Sequence, residues 1–118
     1  MRAVPLREVA RVIRSKNAGP FELTLDVLFP TEGLYRRVRD ARLFTPASIA
    51  ALYGVPEASV LKVVHYEPAL AVKATLVRPF PSGAIGESDV YGAQQHAPLL
   101  EMQVPEELVD PADDRNPG

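Results

Sequence analysis

The sequence predicts an α+β fold: a two-layer sandwich with a mainly antiparallel, four- to five-stranded sheet and two helices on one face. Three observations predict it. Phe21 to Phe29 alternates apolar and polar residues through most of its length. Two adjacent windows, opened by Thr31 and by Thr45-Pro46, carry helical spacing and start signals. Two β-rich runs then flank a short link at Glu67-Pro68, as in antiparallel neighbours.

In chain order, Val9 to Arg14 is rich in β-branched residues and predicts a strand. Ser15 to Pro20 holds Asn, Gly and Pro together and predicts a loop. In the next strand Phe21, Leu23, Leu25, Val27 and Phe29 share one face, and Glu22, Thr24 and Asp26 the other; only Leu28 breaks the pattern. Pro30 ends it. Thr31 caps a helix to about Arg42, with Leu34, Val38 and Ala41 inward and Arg36, Arg37, Arg39 and Arg42 on a solvated face. A second helix runs from Thr45-Pro46 to Tyr53 and stops at Gly54. Val60 to Glu67 and Ala69 to Val77 are strands, the second with Leu70, Val72, Ala74 and Leu76 toward the core. Leu99 to Val104 predicts a last strand with Leu100, Met102 and Val104 inward. Residues 1–104 are expected to form one domain. Residues 105–118 read as an acidic, Pro-rich tail, disordered or loosely attached.

Composition excludes several chemistries. The 118 residues contain no cysteine, so thiol nucleophiles, disulfides and cysteine-bound metals are out. The N-terminus carries charges every few residues and no run reaches a membrane span of about 18 apolar residues, so a cytoplasmic protein away from membranes is expected. Few aromatics and a net charge of −2 argue against nucleic acid. Residues 1–78 hold twelve Lys/Arg against seven Asp/Glu, while residues 79–118 hold Arg115 against eight acids. The first part is basic, which suits an anionic small molecule or an acidic partner. A solvated surface with an acidic appendage is the plainer alternative.

Two segments could carry chemistry. Arg78 to Pro98 spans 21 residues without periodicity, longer than ordinary connections. It gathers Ser82, Asp89, Tyr91, Gln94, Gln95 and His96. Such a set can bind a carboxylate or hydroxyl, or supply an acid–base pair; equally, Asp89, Gln94 and Gln95 can satisfy the loop's own backbone. Ser15, Lys16 and Asn17 form the second segment, where Lys16 can hold an anion, although no P-loop pattern is present. Lys73 is expected to meet Glu22 or Asp26 on the open sheet face, and His65 to be a packed or edge histidine. Asp89 and His96 are too few for a metal site; no metal or cofactor is expected.

Four blocks carry a family resemblance: Val12 to Thr24, Leu52 to Pro56, Pro68 to Thr75 and Asp89 to Leu100. Over about residues 6–105 the chain resembles a small bacterial family of unknown function. That family is similar to the small companion of AtuA-type proteins, named for acyclic terpene utilisation, and to the ferredoxin-like C-terminal domain that some of them carry. In that domain an R-S-G-D-K-G-like segment stands where this chain has Arg14 to Gly19, without its Asp and first Gly. The resemblance implies an accessory subunit docked on an AtuA-like large protein in carboxylic-acid or acyl-CoA catabolism, with Ser15 to Pro20 and Arg78 to Pro98 expected at the interface. It transfers no catalytic residue. The residues themselves leave two alternatives. One is a stand-alone ligand-binding domain or an enzyme of hydratase or lyase type, with His96 as acid–base group beside Lys16, Asp89 and Tyr91. The other is a homo-oligomer joined through an exposed sheet face or edge.

Overall fold

The computed structural model describes residues 2–19, 21–77 and 96–109. A four-stranded antiparallel sheet runs in the order β2 (Val12–Asn17), β3 (Glu22–Leu28), β5 (Ala71–Val77), β4 (Val60–Tyr66). Two helices, α1 (Glu32–Asp40) and α2 (Pro46–Tyr53), lie between β3 and β4 in sequence. The alternation of β3 decides which face they cover. Leu23, Leu25 and Val27 sit opposite Leu76, Ala74 and Val72 on β5, and all six are buried. They share one core with Leu34, Tyr35 and Val38 of α1 and with Ile49 and Ala50 of α2. The fold is therefore the expected small α+β sandwich. Its order, strand–strand–helix–helix–strand–strand, is not the β-α-β-β-α-β connectivity of the ferredoxin-like motif.

The helix ends follow local chemistry. The Thr31 hydroxyl accepts from the Leu34 amide at 3.1 Å. Thr45 and Ser48 form a reciprocal capping box with Pro46 in the first turn. Both C-termini close with paired reversed hydrogen bonds, Gly54 to Ala51 with Val55 to Ala50, and Arg42 to Arg39 with Leu43 to Val38. The residue that closes each turn sits in the left-handed region: Gly54, directly after α2, at φ 66°, and Arg42, two residues beyond α1, at φ 56°. Gly suits that backbone; an arginine there costs about 1–2 kcal/mol. Arg42 thus lies beyond the end of α1 rather than inside it.

Several expectations need correction. The strand expected at Val9 to Arg14 starts at Val12, and Ser15, Lys16 and Asn17, expected in a loop, belong to β2. Ladder pairs Ser15–Leu25, Lys16–Thr24 and Asn17–Leu23 extend the hairpin that far, because pairing to a buried neighbour outweighs local turn propensity. Leu6–Glu8 form a 3-10 turn that buries Leu6 and leads to Val9. The strand expected at Leu99 to Val104 splits into a helical turn α3 (Ala97–Leu100), with Pro98 in its first turn, and a short strand β6 (Gln103–Pro105). Leu99 rather than Leu100 is fully buried, while Met102 and Val104 point inward as expected. β6 pairs with β1 (Ala3–Pro5) as a separate two-stranded ribbon. Pro105 ends β6, and Glu106–Val109 form a further turn, α4, whose Leu108 and Val109 pack on the core. Arg37 Nε donates to the Leu108 carbonyl at 2.7 Å. Residues 78–95, with Ser82, Asp89, Tyr91, Gln94 and Gln95, lie outside the described residues, as do 110–118.

A Cβ placed at Gly54 meets no atom within 4 Å, so Gly54→Ala tests backbone conformation alone. It is expected to lower stability by about 1 kcal/mol, and Thr45→Ala by about 1 kcal/mol through loss of the cap, both read from urea denaturation midpoints.

Candidate functional site

The same alternation that buries one face of β3 turns Glu22, Thr24 and Asp26 to the other, which carries no helix among the described residues. Register places Arg14, Asp26 and Lys73 side by side across β2, β3 and β5, with Val64 of β4 next in the row. Arg14 Nε donates to Asp26 Oδ2 at 3.1 Å, and Lys73 Nζ lies 3.9 Å from Oδ1, an ion pair beyond hydrogen-bond length. The Asp26 side chain is 15% exposed, so its two cations cover it. Lys73 therefore meets Asp26 and not Glu22. The adjoining row is Lys16, Thr24, Thr75 and Lys62, and Glu22 faces Val77. Val12, Leu28, Ala71 and Tyr66 form an apolar row at the far end. Counted by side chain, this face holds four cations and two carboxylates. Three large apolar side chains on it, Val64, Tyr66 and Val77, are exposed; Leu61 at the edge bulge is exposed too.

Ser15 and Asn17 point the other way, level with Leu25 and Leu23. Ser15 Oγ lies 3.4 Å from His96 Nδ1, a long contact that ties the start of α3 to β2. Lys16 is exposed on the opposite face of the same strand. The residues read together from the sequence thus divide: Ser15 meets His96, whereas Lys16, Glu22 and Lys73 share the open face.

A third feature escaped the sequence reading. At the carboxyl end of α1 a cleft of about 490 Å³ is lined by Arg39, Asp40, Arg42, Phe44, Thr45, Pro46, Val63 and His65. Arg39 stands over the Tyr35 ring, 5.9 Å from its centroid, and donates to Asp40 at 3.0 Å and Glu67 at 3.2 Å. Arg36 also donates to Glu67, at 3.0 Å, and this bond is the main cause that holds the Glu67 carboxyl below its ordinary range. The His65 ring makes an edge contact with Tyr35, and its Nε2 is buried without a hydrogen-bond partner. Burial first, and the Arg39 charge second, push the His65 pKa below its ordinary value. The signal for this cleft was faint. Val63 and His65 alternate onto the helix face of β4, and Arg39 and Arg42 stand three residues apart at the end of one helix. Among the described residues no group of three or more His, Cys, Asp or Glu is placed to hold a metal ion, and no helix is long and apolar enough to cross a membrane.

The depressed His65 pKa sets a pH response. The unfolded chain takes up the histidine proton first, so His65's contribution is complete above pH 6.5 and is lost as pH falls below it toward the folded value. The groups facing His65 are Tyr35 and Arg39 of α1 and Asp40 and Arg42 beyond them. Thermal melts at pH 7.5, 6.5 and 5.5 should show Tm falling with acid, and His65→Phe should flatten that fall. The lowered Glu67 pKa acts in a separate window, below its ordinary 4.5.

No curated protein and no solved structure matches the chain. A family model does, over residues 6–103, which takes in the whole four-stranded sheet, both helices, the cleft and His96. The chain belongs to the family described as domain of unknown function DUF4387.

Proposed function

We propose that this chain is a small accessory subunit that docks through its open sheet face on an AtuA-like large protein in carboxylic-acid or acyl-CoA catabolism. The partner is the one implied by the family resemblance. The observation that carries the docking mode is the sheet face that no described element covers, with Val64, Tyr66 and Val77 exposed among charged rows. Tyr66 is 50% exposed and sits beside an apolar row. An aromatic in that setting is a frequent anchor of a protein interface. The excess of Arg14, Lys16, Lys62 and Lys73 over Glu22 and Asp26 suits an acidic patch on the partner. The β4 edge bulges between Val60 and Lys62, which blunts strand-to-strand pairing and favours contact through the face.

Co-expression of both chains followed by size exclusion tests the proposal. Co-elution is expected for the parent. Tyr66→Glu and Lys62→Glu should each weaken the complex at least tenfold while changing the stability of the isolated chain by less than about 1 kcal/mol. Separate elution of the parent chains would contradict it, as would co-elution unaffected by either substitution.

A further inference from the structure

The cleft at the carboxyl end of α1 lies on the helix side of the sheet, away from the proposed docking face. Three observations single it out. The enclosed His65 Nε2 has no hydrogen-bond partner, a state that costs about 1–3 kcal/mol for a buried polar group. Arg42 has no carboxylate partner among the described residues, whereas Arg36 holds Glu32 and Glu67, and Arg39 holds Asp40 and Glu67. Arg42 also occupies the left-handed position that Gly54 fills at the end of α2, although glycine would fit it at less cost. A strained arginine and an unpaired imidazole line one cleft.

The remaining lining defines what fits. Phe44 is buried beneath the cleft, and Val63 and Pro46 add apolar wall. Asp40 is engaged by Arg39, so the charge left unmatched is positive. The volume of about 490 Å³ is that of a small-molecule site. We infer that this cleft binds a small organic oxyanion, a carboxylate or a phosphate monoester with a short apolar tail. Arg42 presents its guanidinium fork to the oxyanion, and a turn of the His65 ring brings its enclosed Nε2 round to donate, while the tail lies against Phe44, Val63 and Pro46. Arg39, fixed between Asp40, Glu67 and the Tyr35 ring, adds a preorganised positive field rather than a direct contact. The inference does not depend on the docking proposal, since it uses the opposite side of the sheet.

Titration of the full, isotope-labelled chain with inorganic phosphate, butyrate or butyl phosphate, followed by amide chemical shifts, tests it. Saturable shifts at residues 42–45 and 63–65 are expected through the millimolar range, with at least one butyl probe binding about tenfold tighter than phosphate. Tighter butyrate identifies a carboxylate ligand, and tighter butyl phosphate a phosphate ester. Arg42→Gly should weaken binding about tenfold or more while Tm stays level or rises, because glycine suits φ 56°. His65→Phe should likewise weaken binding and, by removing an unpaired ring nitrogen, keep Tm at or above the parent value at neutral pH. Absence of saturable shifts with all three probes, shifts centred elsewhere, or Arg42→Gly binding as tightly as the parent would each overturn the site.

Discussion

The β3–β5 ladder is the constraint on which the rest of this structure depends. Its seven antiparallel pairs run from Glu22–Val77 to Leu28–Ala71 and set the face of every residue in the central strands. Side chains repeat every two residues along a strand, so a slip of one would carry Leu23, Leu25 and Val27 into water and Glu22 and Asp26 into the core. Burying Leu23, Leu25, Val27, Val72 and Leu76, each worth about 1.5–3 kcal/mol, makes that slip prohibitive. The helices then have one face to cover, and the Asp26 row has one face on which to form.

How much of this was legible follows from range. The β3 alternation and both helix starts are local, and local signals carried them: Thr31 and Thr45 cap, Pro46 opens and Gly54 closes. The β1–β6 ribbon was not legible, since three-residue strands have no measurable period and their partners stand about a hundred residues apart in sequence. Ser15 to Asn17 show the competition most clearly. Their composition favours a turn, and the ladder to Leu25 and Leu23 makes them strand. That change also separated Lys16 from His96, because neighbours on a strand point to opposite faces. Leu99 became buried in place of Leu100 for a related reason: a helical turn does not alternate.

The candidate surfaces were legible to different degrees. Lys16, Glu22 and Lys73 came to the open face through the same alternation that defined the strands. The cleft did not come from any single segment, since it joins the end of α1 and the start of α2 to β4. Its chemistry departs from the local rules that hold elsewhere. The turn after α2 closes on glycine and that after α1 on arginine; most of the core is apolar, and the unpaired His65 nitrogen is buried at its margin. Such departures gather where a fold serves something other than its own stability.

The division of labour between the two sides of the sheet is open to one direct measurement. Hydroxyl-radical footprinting would compare side-chain reactivity in the chain alone and in complex with its proposed large partner. A sheet face used for docking predicts strong protection of Tyr66, Val64 and Val77, with Arg36 of α1 and Pro46 and Leu52 of α2 unchanged. Protection of α1 and α2 with Tyr66 still reactive would contradict it.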